Sequence, residues 1–563
     1  MTPTDEQKRI YNFIKYDSSH GIIDAVAGSG KTTAIIESIG YTSQDKSLLF
    51  CAFNKKIRDE IQKRVIEKRH SNTTVKNLHQ LGFDILKSHS TNKYVLQPNK
   101  YRQIVNRIIK RDLTEFVEEY CTLYDVNTNP FKSYEVSILK KTINAFKNKL
   151  LSICDKYRLT LTKNDLDLFE EMVSHYNIID QKLMNERNFK REVALFFSAK
   201  DVVLNYANNI AKSDQLIDFA DMLYLPEKFD LSPRSTYDIL FVDECQDLSK
   251  SQFNVALKYV KRNGRVLAVG DPYQSIYGFT GADIRSFDRF SKLPNHVKLN
   301  LSYCFRCPDI VLDYAQQFRE DIKPFKPKDG IIEQIDFEDI DKFLEEGDLV
   351  IGRTKAPLTT LFFTLLEKNM KVNIHQDDIQ ELFNELRFLF SKEELTTSNV
   401  FKNNYDFFEK VKNRNIYFAE QNANKISNTT ESDEFLTTQT DYIERRVNFL
   451  KRQSSIHVEV NTINDLIKRI ENLVSEDDDA IKLSTIHKAK GLESERVFIL
   501  DYDKLPLKKD EHQPWEVEQE RNLKYVALTR TKHTLFLVNA MKDADNEEED
   551  TGSLYDALGD IDF

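Results

Sequence analysis

Asp238-Ile239-Leu240-Phe241-Val242-Asp243-Glu244-Cys245-Gln246-Asp247 is a β-branched and aromatic run that ends abruptly in acids and an amide. An apolar run without polar alternation reads as a strand covered on both faces, the signature of a parallel α/β sheet. Carboxylates at the C-terminal end of such a strand stand where open α/β sheets bind their ligands. Asp243 is placed to hold a metal through water. Glu244 is placed to orient and deprotonate an attacking water, and together these are the two carboxylate tasks of phosphoryl transfer.

A second stretch supplies the phosphate cradle. Ala25-Val26-Ala27-Gly28-Ser29-Gly30-Lys31-Thr32 ends an apolar run that starts at Gly21, and a helical pattern continues from Thr33. The small residues from Ala27 to Gly30 let consecutive backbone N–H groups curl around an anion, and the helix N-terminus at Thr32 and Thr33 adds partial positive charge. Lys31 adds a full charge, and Thr32 is predicted to hold Mg²⁺ through its hydroxyl. Ala25 stands where the usual motif begins with Gly. Gly-rich turns also occur as plain loops, but paired with the acidic strand end this one reads as NTP hydrolysis, with ATP and Mg²⁺ as cofactors.

The 563 residues and 40% apolar content suit an enzyme of several compact units. No apolar run approaches the ~18 residues of a membrane span, and Met-Thr-Pro-Thr-Asp-Glu-Gln lacks the basic and apolar regions of a signal peptide. A cytoplasmic location is expected. Six cysteines show no framework spacing; Cys304 and Cys307 form one C-x-x-C without a second pair or a thioredoxin-like context, so reduced thiols are expected.

The net charge of -10 is concentrated at one end. From Met541 to Phe563, Asp543, Asp545, Glu547, Glu548, Glu549, Asp550, Asp556, Asp560 and Asp562 face one base, Lys542. The remainder is therefore close to neutral and can carry a local basic channel for nucleic acid. The tail itself reads as a disordered solvating segment or as a docking peptide for a protein partner.

Further blocks recur in a fixed order: Thr4-Asp5-Glu6-Gln7, Phe50-Cys51-Ala52-Phe53-Asn54-Lys55, Thr74-Val75-Lys76-Asn77-Leu78-His79, and the run from Val269 through Gln274 to Phe279. Leu301-Ser302-Tyr303-Cys304-Phe305-Arg306, the run from Ser484 through His487 to Glu493, and the run from Glu520 to Arg530 complete the series. In order and kind they resemble the motifs of superfamily 1 helicases of the UvrD/Rep/PcrA type. The resemblance implies that Gln7 reads adenine, that Phe305 stacks on it, and that Glu493 belongs to the nucleotide contacts. It also implies that Gln274 senses the γ-phosphate and that Arg306 and Arg530 reach it. Single-stranded DNA contacts are implied for Phe53, Asn54, His79, Phe279 and His487.

Two departures stand out. Phe53 comes one place later than the family's F-T-N-K order, and Thr280 stands where an arginine commonly follows the aromatic. Independently of the resemblance, a transferring phosphoryl group develops charge that one domain cannot surround, so arginines supplied by a second domain make closure conditional on the γ-phosphate.

Strands are predicted at Gly21 to Ala27, Ser47 to Phe53, Tyr237 to Asp243 and Arg265 to Gly270. A second set is predicted at Asp348 to Arg353, Lys482 to Ile486, Arg496 to Asp501 and Thr534 to Val538. The fold expected is α/β, two RecA-like parallel-sheet P-loop domains with mostly helical insertions and ATP between them. Residues 1–87 and 218–298 form the first domain, 88–217 its helical insertion, 299–374 and 477–540 the second domain, 375–476 a reduced insertion, and 541–563 the acidic tail. In the first insertion, Leu139, Ile143, Phe146, Leu150 and Ile153 share an apolar face. Lys140, Lys141, Lys147, Lys149 and Lys156 are expected on the rest, facing DNA or simply solvated. Trp515 has no role assignable from sequence.

The expected activity is an ATP-dependent DNA helicase moving 3′ to 5′ on single-stranded DNA, the polarity implied by the resemblance. A DNA-stimulated translocase or end sensor without processive unwinding is the alternative, kept open by the reduced second insertion. A P-loop regulatory protein acting on a protein partner is a third reading, opposed by the two arginine blocks.

Overall fold

Two apolar sets of strands build two six-stranded parallel sheets, one in each of two units. The computed structural model describes residues 2–540 apart from 54, 131, 180–183, 279–280, 282–285, 369, 375, 403–405, 424–428, 473, 475–478 and 509–512. The first unit comprises Met1–Phe305, Asp321–Lys323 and His512–Asn522; the second comprises the rest.

In the first unit the strands are β1 (His20–Ala25), β2 (Leu48–Ala52), β3 (Thr73–Asn77), β4 (Tyr237–Val242), β5 (Val260–Gly270) and β6 (His296–Leu301), arranged β3-β2-β4-β5-β1-β6. Successive residues serve opposite faces. Ile23, Phe50, Phe241 and Leu267 pack with Ile10, Phe13 and Ile35 on one side, while Ile22, Leu49, Leu240 and Val266 pack with Leu81, Ile85 and Val255 on the other. Double coverage is why these strands read as continuous apolar runs. The order places β4 and β1 on either side of β5, so the phosphate loop, the acidic cluster and the block after Gly270 leave the sheet at the same end.

In the second unit the strands are β7 (Ile331–Asp336), β8 (Leu349–Gly352), β9 (Val372–Ile374), β10 (Ile481–Thr485), β11 (Ser494–Ile499) and β12 (Thr531–Asn539), arranged β7-β12-β11-β8-β10-β9. Every strand predicted from sequence is present, although β5 begins at Val260 rather than Arg265 and β12 at Thr531 rather than Thr534. Within these two six-stranded sheets, the strands that were not predicted, β3, β6, β7 and β9, are the edges; the short pairs Val95–Leu96 with Leu216–Ile217 and Tyr303–Cys304 with Lys323–Pro324 were not predicted either. An edge is only partly covered, so its sequence keeps polar residues: β6 alternates exposed and half-buried positions, and in β3 only Val75 is buried.

The first insertion is helical and has its own core, with Phe146, Leu150 and Ile153 from the helix Ser133–Thr160 packed against Phe189, Phe196 and Val203 from Glu186–Ser213. Two of the lysines expected to face DNA or solvent turn to partners within the insertion. Lys149 donates to Glu192 at 2.9 Å, and Lys156 lies over the Tyr176 ring, where burial lowers its pKa. Both reach back toward the insertion's interior because long lysine stems span from the polar flank to buried partners. A buried ionic group joins this insertion to the helix Phe219–Lys228. Lys100 meets Asp221 at 2.6 Å, and Arg158 meets Asp218 at 2.7 Å and Asp221 at 3.0 Å.

The helices of the second insertion share one apolar cluster with the second sheet: Phe383, Val411 and Leu466 belong with Val350, Leu483 and Phe498. All six cysteines are buried free thiols. Among the described residues, no helix is long and apolar enough to cross a membrane.

Candidate active site

The loop after β1 turns through two left-handed glycines, Gly28 (φ 66°) and Gly30 (φ 72°), before the helix Lys31–Ile39 begins. A side chain is strained at these angles, which is why glycine stands there. A Cβ on Gly30 would meet no atom within 4 Å, so the space beside this cradle is open. Ser29 closes the turn from inside, its hydroxyl donating to Val26 O at 2.8 Å.

Topology then sets the acids against this loop. The Thr32 hydroxyl donates to Asp243 Oδ2 at 2.8 Å, and Lys31 Nζ lies 3.5 Å from Glu244 Oε1. Asp243 is 1% exposed, and its carboxyl is pushed up to about 6 by burial first and by the neighbouring Glu244 second. A buried carboxylate under that strain gains from a cation, and a hydroxyl beside carboxylate oxygen is a hard-oxygen donor set of the kind Mg²⁺ prefers. The residues therefore fit a magnesium–triphosphate. Glu244 is itself held in a left-handed conformation (φ 52°) that turns its side chain off the strand line.

A relay that sequence reasoning missed joins β4 to β5. Gln246 Nε2 donates to Glu244 Oε2 at 2.5 Å, while Gln246 Oε1 accepts from Asp271 N at 3.1 Å. Gln274 Nε2 donates to Asp271 Oδ2 at 2.5 Å. Gly270 makes room for the relay, since a Cβ there would lie 2.3 Å from Gln246 Oε1. The acid-and-amide composition of the D-E-C-Q-D cluster was visible in the sequence; the partner of its glutamine was not, because that depends on β5 lying beside β4.

Thr4 and Gln7 form a capping box at the helix Asp5–Tyr16, with Thr4 N donating to Gln7 Oε1 at 3.0 Å. Glu6 accepts from Ser302 N at 2.7 Å and from the Ser302 hydroxyl at 2.6 Å, and Phe305 N donates to Gly28 O at 2.9 Å. The segment carrying Phe305 is thus tied to both the first helix and the phosphate loop.

In the second unit, Arg306 Nε donates to Glu493 Oε2 at 2.6 Å, and its Nη1 donates to Thr529 O at 2.9 Å. Lys532 holds the other oxygen of Glu493 at 2.9 Å. Burial works to raise the Glu493 pKa, but Arg306 and Lys532 outweigh it and hold the carboxyl below its ordinary value. Arg530 is 2% exposed and donates to Val526 O at 2.9 Å and to Thr529 Oγ1 at 3.2 Å.

Of the predicted DNA contacts, Asn54 and Phe279 lie outside the described residues, as does Thr280. Phe53 stacks on Tyr277, ring centroids 5.8 Å apart and planes 21° off parallel. Tyr277 was not singled out from sequence; its place two residues before Phe279 in the same block was the available signal. His79 stands edge-on to Phe219 at 6.2 Å, and burial lowers its pKa, so the ring is neutral near pH 7. His487 is half-buried in the turn that follows β10.

Comparison with known proteins points to one family. The family described as UvrD/REP helicase N-terminal domain matches residues 4–295, and that described as UvrD-like helicase C-terminal domain matches residues 481–538. The chain is similar to the ATP-dependent DNA helicase PcrA of Bacillus subtilis (strain 168), 23% identical over 92% of this chain and 80% of that protein. It is 22% identical to the probable DNA helicase II homolog of Mycoplasma capricolum, over 92% of this chain and 81% of the relative. The PcrA of Staphylococcus aureus (strain Mu50) is likewise 22% identical, with the same shares covered.

Proposed function

Because the chain belongs to the UvrD/REP helicase family, and is therefore an ATP-hydrolysing, DNA-binding enzyme, we propose that it moves 3′ to 5′ along single-stranded DNA and unwinds duplex, acting in the cytoplasm. The observation that best supports a working motor is the unbroken contact series from the phosphate loop to the strand-contact block: Thr32 to Asp243, Lys31 to Glu244, Glu244 through Gln246 and Asp271 to Gln274. A nucleotide-dependent change at Glu244 has a direct hydrogen-bonded route to the block that carries Tyr277 and Phe279.

In this reading Ala27 to Thr33 wrap the phosphates, with Lys31 neutralising their charge. Gln7 and Phe305 take the adenine, and Glu493 belongs to the nucleotide contacts. Mg²⁺, when held by Thr32 and Asp243, supplies charge neutralisation at the phosphate oxygens. Glu244 orients the attacking water and accepts its proton, which requires that Lys31 exchange its 3.5 Å contact with Glu244 for phosphate. Gln274 reports the γ-phosphate to its own loop. Arg306 leaves Glu493 for the phosphoryl oxygens, and Arg530 adds a second guanidinium; their charge stabilises what develops in the transition state. Phe53, Asn54, His79, Phe279 and His487 contact the strand, Phe279 by base stacking worth ~1–3 kcal/mol per base.

The test is strand release from a short duplex carrying either a 3′ or a 5′ single-stranded tail, with ATP turnover followed in the same tubes and Lys31→Ala as control. Release from the 3′-tailed duplex alone is expected. DNA-stimulated turnover with no release from either substrate would reassign the protein as a translocase or end sensor.

A further inference from the structure

The first turn of the helix Asp5–Tyr16 is fastened to the segment that leaves β6. Ser302 follows the last residue of β6, and both of its donors go to one carboxylate: Ser302 N donates to Glu6 Oε2 at 2.7 Å and the Ser302 hydroxyl to Glu6 Oε1 at 2.6 Å. That segment is itself fixed to the phosphate loop on either side of Ser302. Val26 N donates to Leu301 O at 2.9 Å, and Phe305 N donates to Gly28 O at 2.9 Å. All of these residues belong to the first unit.

Gln7 stands next to Glu6 in the chain, and its Oε1 is held by Thr4 N at 3.0 Å within the capping box. Two fixings therefore locate its carboxamide: the capping box sets it on the helix start, and Glu6 sets the helix start on the segment tied to the phosphate loop. The far end of the helix is held separately, where the Arg265 guanidinium donates to the carbonyls of Phe13, Ile14 and Asp17. That end lies about two turns from Gln7, and a first helical turn lacks the intrahelical partners of later ones, so it depends on local anchors.

We propose that Glu6 is a positioning residue for base selection, holding the first turn of this helix to the segment 302–305 so that the Gln7 carboxamide and the Phe305 ring keep a fixed relation and accept adenine in preference to guanine. The inference rests on the reading that Gln7 and Phe305 take the base. A carboxamide pairs with the N6 and N7 edge of adenine, whereas guanine presents an O6 acceptor where adenine has its amino group. Telling those edges apart needs strict hydrogen-bond geometry, while stacking on an aromatic ring tolerates any base. Loosening the first turn therefore costs discrimination. A carboxylate suits the joint because its two oxygens accept both donors of one residue. The phosphate loop and the acidic cluster are held by other contacts, so the hydrolytic step is left intact.

The experiment measures kcat and KM for ATP with the full chain, and the inhibition constant of GTP as competitor, for the parent, Glu6→Ala, Glu6→Asp, Glu6→Gln, Gln7→Ala and Ile14→Val. The last is a mild packing change at the far end of the same helix, where Ile14 is buried. In Glu6→Ala the ATP KM is expected to rise about fivefold with kcat within about twofold of the parent, and the ratio of the GTP constant to the ATP KM to fall about fivefold. Glu6→Asp keeps the charge but is one methylene too short for both donors, so it should behave as Glu6→Ala does. Glu6→Gln should keep the parent ratio, because its oxygen accepts from Ser302 N while its Nε2 donates to the Ser302 hydroxyl, which rotates to accept. Ile14→Val should leave the ratio unchanged.

An unchanged ratio in Glu6→Ala overturns the proposal. So does a parent-like Glu6→Asp beside a defective Glu6→Gln, a pattern that would assign the effect to negative charge at a helix start rather than to the two hydrogen bonds. A ratio lowered equally by Ile14→Val would mark general loosening of the helix and overturns it too. Should Glu6→Ala fail to fold, Glu6→Asp against Glu6→Gln decides, and equal ratios in the two count against the joint. The adenine reading fails in a different way: a parent that takes GTP as readily as ATP, or a Gln7→Ala that keeps the parent ratio, removes it and the proposal with it. A ratio lost in Gln7→Ala and kept in Glu6→Ala overturns the positioning role alone.

Discussion

Glu244 has three neighbours with different claims on it: Lys31 at 3.5 Å, Gln246 at 2.5 Å, and Asp243 next to it in the chain, whose pKa it helps raise. Only the carboxylate can accept a proton from water, whereas an amide of the same shape fills the same space and keeps one acceptor oxygen for one of the two donors, Lys31 or Gln246. Glu244→Gln is therefore expected to bind ATP normally, measured by equilibrium binding of a fluorescent analogue, while turnover falls roughly 10²–10⁴-fold, the usual share of general-base catalysis. Retained turnover would move the base elsewhere. Asp243 and Glu244 were legible because a strand-end acid after an apolar run has few structural uses. The role of Gln246 was not legible, since its amide spans two strands whose adjacency no local pattern encodes. Arg306 was marked by its block, but its contacts with Glu493 and Thr529 come from segments far along the chain and emerge only from the fold.

Among the elements, β4 carries a joint at the end opposite its catalytic acids. Asp238 Oδ2 accepts from Ser47 N at 2.9 Å, from the Ser47 hydroxyl at 2.7 Å, and from Lys261 at 2.8 Å, linking the starts of β2, β4 and β5. Burial alone would raise its pKa, but Lys261 and Ser47 outweigh that and hold it at about 2, against an ordinary 3.8. A depressed folded pKa contributes stability that is complete above the unfolded value and lost only as pH falls through the folded one. Asp238→Asn should therefore cost about 1 kcal/mol, read as the same downward shift in urea midpoint at pH 5 and at pH 8. A penalty present at pH 8 and absent at pH 5 would show that the carboxylate is not held low. The central strands were readable because burial on both faces selects uninterrupted apolar residues; the edges β3, β6, β7 and β9 escaped because half-covered strands resemble loops in composition. The helix Ser133–Thr160 was readable on its apolar side, but the inward turn of Lys149 and Lys156 depends on Glu192 and Tyr176, which other helices supply.

At the scale of the whole molecule, charge is distributed so that the acidic tail, outside the described residues, carries most of the net -10. Its removal leaves a nearly neutral body, and the long-range repulsion between tail and phosphate backbone goes with it. Truncation after Ala540 is expected to tighten oligothymidylate binding a few-fold at ~20 mM salt and to change it little at ~300 mM, where screening is strong. Equal affinity at low salt would mean that the tail's charge is neutralised within the chain. The division into two units was foreseen from two sets of strands, whereas the assignment of His512–Asn522 to the first unit was not, because Trp515, Gln519 and Asn522 find partners there that no sequence pattern announces. The burial of every native thiol has a practical corollary. Maleimide dyes attack exposed thiolates, so cysteines introduced at the exposed positions Ser18 and Glu346, one on each unit, become the preferred attachment points without prior removal of the six natural ones. Energy transfer between such a dye pair would test, one molecule at a time, whether nucleotide binding and release change the distance between the two labelled positions.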